Sequence, residues 1–195
     1  MLRQVAPHDH AAPRARLLGL VIEHIQRCGI SDLSLRELAA AIGTSHRMLL
    51  YHFGSREGLL VAVVQAVEQA QRDFVADLVA DPGASQIELL RTLWRRWADP
   101  RYWPNERLFF ELYAAALQGK PGTAGLLDDV IDAWVRPMVD LARLNGLDVA
   151  RVEAETRLAI AVVRGLLLDL LATQDRAAVD RAFERYLQLL GAAPP

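Results

Sequence analysis

Apolar side chains recur at intervals of three and four along most of the chain, and beyond residue 85 no segment alternates with the period of two that marks a strand. Leu17, Leu18, Val21, Ile22, Ile25 and Cys28 make the first stripe and Gly29 closes it, which predicts a helix over about 14–28. Ser34 and Glu37 spell a capping box, in which the serine hydroxyl accepts from the third backbone N–H and the glutamate reaches back. A second helix over about 35–42 follows and ends near Gly43. Thr44 or Ser45 is suited to cap a third, short helix to about Tyr51, and Ser55 a long fourth through Ala80, where Asp81-Pro82-Gly83 stops it. Helical spacing returns over about 86–98, 105–118, 123–144, 150–172 and 176–190, with short polar or Gly/Pro breaks between. The expected architecture is all-α, with about nine helices.

Residues 35–53 meet the needs of a helix-turn-helix. Leu38 and Ile42 point to a core, Ala39 permits close approach, Gly43 takes the positive φ of the turn, and Leu49 and Phe53 anchor the second helix. That second helix exposes Ser45, His46, Arg47, Tyr51 and His52, which are donors, a cation and an aromatic hydroxyl rather than the Glu/Lys mixture of an ordinary solvated face.

Ser34 to Leu60, SLRELAAAIGTSHRMLLYHFGSREGLL, resembles the N-terminal module of the tetracycline-repressor-like (TetR) family of bacterial transcription regulators. The resemblance rests on Ser34, Ala39, Gly43, Ser45 and the run Tyr51-His52-Phe53-Gly54-Ser55, followed by Arg56 and Leu59. It departs from the family pattern at Leu50, where a tyrosine is common, at Arg56, where a lysine is, and at Thr44, where a valine is. Arg56 keeps the charge and adds a fork suited to phosphate. The resemblance implies a helix-turn-helix DNA-binding domain over 14–55 behind a short flexible arm, 1–13, and a helical ligand-binding and dimerisation domain over 56–195. It also implies a DNA-binding set of Ser34, Thr44, Ser45, His46, Arg47, Tyr51, His52 and Arg56. Within it Arg47 is the residue for a bidentate contact to guanine, while Tyr51, His52 and Arg56 suit phosphates.

Residues 86–140 hold eight of the thirteen aromatic side chains. Trp94, Trp97, Trp103, Phe109, Phe110, Tyr113 and Trp134, with Met138 beside the helix-breaking Pro137, are candidates for lining a pocket for a mainly apolar effector. Arg107, Glu111, Tyr113 and Gln118 are the polar groups that would converge on it; the same rings also suit a plain core. Leu158 to Ala172 is apolar nearly all round and must be covered on two sides. One stripe, Leu158, Ala161, Gly165, Leu168 and Ala172, and the last helix's Phe183, Tyr186 and Leu187 are candidates for a four-helix homodimer seam, the arrangement the resemblance also implies.

Charge sharpens the division. The formal net charge is -2, but residues 1–56 carry seven arginines against Asp9, Glu23, Asp32 and Glu37, and all five histidines lie before residue 53. The second unit therefore has no histidine base, and the chain has no nucleophile elbow, P-loop or metal-ligand spacing, so neither enzyme, cofactor nor metal is expected. His8 and His10 sit on the arm without further ligands. Cys28 is expected in the core and to suit a reducing cytosol, and no stretch reaches the roughly 20 apolar residues of a membrane span. A cytoplasmic protein whose partners are near-palindromic double-stranded DNA, a second copy of itself and a small molecule is the leading expectation. A helical enzyme based on a carboxylate such as Glu111, or a module that docks protein instead of DNA, is the alternative.

Overall fold

The computed structural model describes residues 11–28, 34–79 and 85–192, and every regular element among them is helical. In chain order they are α1 (Ala11–Cys28), α2 (Leu35–Ala41), α3 (His46–Phe53), α4 (Arg56–Val79), α5 (Gln86–Trp97), α6 (Trp103–Leu117), α7 (Asp132–Leu144), α8 (Val149–Thr173) and α9 (Arg176–Ala192). Short 3-10 turns, Pro100–Tyr102 and Ala124–Leu126, precede α6 and α7. His8, His10 and Gly29 lie outside the described residues.

The starts follow the side-chain chemistry. Ser34 Oγ accepts from the Glu37 N–H at 3.3 Å and the Ser34 N–H donates to the Glu37 carboxylate at 2.7 Å, completing the capping box of α2. Ser45, not Thr44, caps α3, accepting from the Met48 N–H at 3.2 Å. Ser55 accepts from the Gly58 N–H at 2.9 Å, Ser85 caps α5, and Asp148 caps α8. Between α3 and α4 the chain turns through Gly54 at φ 75°, and the next turn crowds: a Cβ on Gly58 would lie 2.4 Å from the Phe53 carbonyl oxygen.

Two apolar cores organise the helices. The first joins Val21 and Ile25 of α1, Leu35, Leu38 and Ala39 of α2, Leu49 and Phe53 of α3 and the run Leu59 to Val64 of α4 to Leu108, Phe109, Leu112 and Ala116 of α6. The second joins Trp94 and Ala98 to Val163, Leu167 and Leu170 of α8 and Val179, Phe183 and Leu187 of α9, with Phe110 of α6 packed against both. α6 therefore belongs to the N-terminal core on one side and to the C-terminal bundle on the other.

Two expectations are corrected. The stretch 123–144 is not one helix: Thr123 is buried, its hydroxyl donates to the Lys120 carbonyl at 2.7 Å, and Gly122 takes φ 81°. A Cβ on Gly122 would lie 2.9 Å from Glu57 Cβ, so this corner is pressed onto the start of α4. The apolar positions then divide, Leu126, Leu127 and Val130 going to the first core and Val135, Val139 and Ala142 being buried in α7, which packs on α8. Cys28 is exposed rather than in the core, because it is the last residue of α1 and the buried stripe ends at Ile25.

Candidate functional site

α3 stands with one side in the first core and the other open. Leu49 is fully buried and Phe53 nearly so, while Ser45, Arg47, Met48, Leu50 and Tyr51 are exposed, Tyr51 by 69%. Thr44, His46, His52 and Arg56 are half-buried, and Ser34 is exposed at the start of α2. The Ser34 and Ser45 hydroxyls already accept capping bonds, so any further role for them is added to that one. His52 faces partly inward: its Nε2 is enclosed without a partner among the described residues. Its ring lies edge-on to Tyr51 and Phe53, with centroids 5.0 and 6.3 Å apart. Arg14, which the sequence left unremarked, holds this corner, donating to the His52 carbonyl at 3.4 Å with its guanidinium 4.9 Å from the Phe53 ring centre. Met48 and Leu50 add apolar surface to the open side, and period-3.6 reasoning from Leu49 and Phe53 would have placed them there.

The second feature is a cavity of about 370 Å³ among α4 to α9. Of the candidate rings, Trp97, Phe109 and Trp134 line it, as does Met138. Trp94, Trp103, Phe110 and Tyr113 do not. Trp94 is buried, stacked on Phe183 at 4.7 Å with its Nε1 donating to Asp180 at 2.7 Å. Trp103 donates to the Ala98 carbonyl at 3.2 Å, and Phe110 and Tyr113 pack on the first core. Arg107, Glu111 and Gln118 are exposed, on the outer side of α6.

The polar groups of the cavity include Glu68, Gln71, Glu106 and Arg164, rather than Arg107, Glu111, Tyr113 and Gln118. Glu68 of α4 accepts from Trp134 Nε1 at 2.8 Å and pairs with Arg164 of α8 at 3.5 Å and Arg72 at 3.9 Å. Arg164 also donates to the Val130 carbonyl at 3.1 Å and lies 4.7 Å from the Phe109 ring centre. Its burial pulls its pKa down. Glu106 of α6 is only 5% exposed, and its carboxyl accepts from Gln71 at 3.0 Å. Burial, then the neighbouring Glu68 charge, pushes its pKa up to about 7. The signal was present: Glu106 stands three residues before Phe109 and six before Leu112, on the buried stripe of its helix, where a carboxylate is out of place. Trp97 Nε1 and Tyr186 Oη, both on cavity-lining residues, are enclosed without protein partners.

The two candidate seam stripes separate. Leu158, Ala161, Gly165, Leu168 and Ala172 all lie exposed along one side of α8, Leu158 and Leu168 by 54% and 52%. Phe183 and Leu187 instead are buried in the second core and Tyr186 lines the cavity, so the apolar stripe of α9 closes its own chain rather than facing outward. Trp94 and Leu170 take up that stripe; Leu189 is the large apolar residue that α9 exposes.

A short two-helix reader joined by a long helix to a cavity-bearing helical bundle is the layout of a helix-turn-helix transcription regulator, and sequence comparison agrees. The model of bacterial regulatory proteins of the tetR family matches residues 22–63. The stretch carrying α2, α3 and the start of α4 thus matches that family's model, and the whole chain has the fold of solved TetR-family regulators. A TetR-family transcriptional regulator from Pectobacterium atrosepticum superposes with a TM-score of 0.70 at 20% identity, covering 95% of both chains. A putative TetR-family regulator from Rhodococcus sp. gives 0.68 at 23% identity over 93% of this chain and 97% of its own. The Thermus thermophilus repressor FadR in complex with lauroyl-CoA gives 0.62 at 19% identity, over 93% and 99% respectively. No curated protein matches the chain. The matched module is that of bacterial regulatory proteins, and the fold is that of the solved regulators named here.

Proposed function

We propose that the protein is a cytoplasmic transcriptional repressor that binds a near-palindromic duplex as a homodimer and releases it when a mainly apolar small molecule fills the cavity. The carrying observation is the open side of α3, where Arg47 and Tyr51 stand exposed beyond a helix that Leu49 and Phe53 fix in the core. Arg47 reads a base edge, Met48 or Leu50 meets a thymine methyl, and Ser45, His46, Tyr51 and Arg56 hold phosphates. Thr44 and Ser34 flank them, and His52 contributes through Nδ1 alone.

Dimerisation on the exposed α8 stripe, Leu158, Ala161, Gly165, Leu168 and Ala172, would present two reading helices to successive major grooves about 34–36 Å apart. Release is supported by α4 and α6. Glu106 and Phe109 line the cavity, while Leu112 and Ala116 of the same helix are packed on the reading head. A ligand that shifts α6 moves the head with it, and a coupling of about 1–3 kcal/mol lowers DNA affinity 5- to 150-fold. That the FadR structure holds lauroyl-CoA shows that the shared fold accommodates a small molecule in that protein.

Selection of bound sequences from a random duplex pool tests the reading, followed by gel shifts at increasing salt. The expected result is a near-palindrome whose binding falls steeply with ionic strength. Arg47→Ala should lower affinity for the selected site by about 1–3 kcal/mol and for random DNA far less. Equal losses on both would remove Arg47 as a base reader, and indifference to every duplex at low salt would remove DNA as the partner.

A further inference from the structure

We infer that the cavity is built for a lipophilic amine, bound as its ammonium ion by the carboxylate of Glu106. The inference rests on the regulator reading only for the consequence of binding, not for the site. It comes from charge accounting inside an otherwise apolar chamber. The charged residues that line the cavity are Glu68, Glu106, Arg151, Glu155 and Arg164. Arg151 pairs with Glu155 at 2.8 Å, and Arg164 with Glu68 at 3.5 Å. Arg72, outside the lining, also faces Glu68, and Trp134 donates to it. Glu106 is left as the carboxyl without an ion-pair partner among the described residues, its one hydrogen bond coming from the neutral Gln71.

A carboxyl so enclosed either keeps its proton or takes a cation. Burial first, and the Glu68 charge second, raise its pKa, and neither the Gln71 hydrogen bond nor Arg164 offsets them. Glu68 on α4 opposes ionisation and Arg164 on α8 favours it, but Arg164 is shared with Glu68. An ammonium N–H would donate to the carboxylate, displacing the proton, while the hydrocarbon body lies against Trp97, Val163, Leu167 and Met138. Trp97 and Trp134 meet nearly at right angles, with ring centres 6.1 Å apart, so two indole rings form part of the wall. A volume of about 370 Å³ holds a chain or ring system of drug size.

The test is a series of ligands with one tail and different heads: decylamine, decyltrimethylammonium, decanol and decanoate, each below its micelle-forming concentration. Calorimetry on the full chain reports affinity and proton release. At about pH 8 decylamine should bind at least about tenfold more tightly than decanol, with decanoate weakest. The permanent cation should gain up to about tenfold in affinity per pH unit from pH 5 until it levels above about pH 7, releasing close to one proton on binding below that point. Glu106→Gln should remove both the gain and the proton release while leaving decanol affinity within about twofold. The proposal is overturned if decanol matches the amine, if decanoate binds most tightly through Trp97 Nε1 and Tyr186 Oη, if no head group binds, or if the wild-type cation profile is flat. Gel shifts with the selected duplex separate the two readings. Amine binding without DNA release leaves the site standing and removes the regulatory reading, whereas release by decanol or decanoate but not by decylamine does the reverse.

Discussion

Gly58 sits where α4 begins, and a methyl group there would lie 2.4 Å from the Phe53 carbonyl oxygen, a backbone atom at the end of the reading helix. Ordinary contact needs about an ångström more, so in a close-packed joint Gly58→Ala must pry α3 and α4 apart. Overpacking of this kind costs about 1–3 kcal/mol, and the obstacle is backbone, which places it in the upper half. Alanine returns about 1 kcal/mol of helix propensity, leaving a net loss of about 1–2 kcal/mol. For a chain of this length that is a fall in Tm of about 2–8 °C. Gly19 supplies the control. It also lies inside a helix, but nothing stands within 4 Å of its absent Cβ, so Gly19→Ala should raise Tm by about 2–4 °C. Circular dichroism melts at one fixed protomer concentration read both. If Gly58→Ala melts at or above the parent, the joint between α3 and α4 is not packed as described.

Further outcomes follow from the caps, the second core and the buried acid. Ser34→Ala removes the hydroxyl half of the capping box, keeping the backbone N–H bond to Glu37, and should destabilise by about 1 kcal/mol in urea unfolding. Phe183→Ala empties the stack against Trp94 and should cost about 3–5 kcal/mol; a surface role for Phe183 would instead leave stability unchanged and weaken self-association. Glu106 has a folded pKa of about 7, above the ordinary 4.5, so the folded state holds its proton longer and stability should fall as pH rises from about 4.5 to about 7. Glu106→Gln should therefore be near neutral at about pH 5 and stabilising at about pH 8, by up to roughly 3 kcal/mol. A slope unchanged by the substitution would mean that another group titrates.

The elements that the sequence made legible are those governed by local chemistry. Capping serines and the stripes of α1, α2 and α3 fix helix ends within a few residues, because an N-cap bond spans three positions and needs no distant partner. The break within 123–144 was not visible, since it depends on Gly122 meeting Glu57, far away in the chain. A stripe also reveals that a helix has an apolar face without saying what covers it. Phe183 and Leu187 therefore looked like a seam until Trp94 was found against them. For the cavity, ring content located the region but not the wall: Trp97 and Trp134 face the void and Trp94 and Trp103 do not, a difference set by helix rotation. Glu106 is marked in the sequence only as a carboxylate on an apolar stripe, and Glu68 and Gln71 belong to no local motif.

The shared ownership of α6 limits how the molecule can be cut. A fragment ending at residue 79 would retain both helices of the reader and the whole of α4, yet the sides of Leu59 to Val64 that meet Leu108, Phe109 and Leu112 would open to water. Grafting this head onto a different sensor therefore demands that the recipient bring its own equivalent of α6, matched in shape at Leu112 and Ala116. Chimeras joined after residue 79 without that match should be born with an unlidded core.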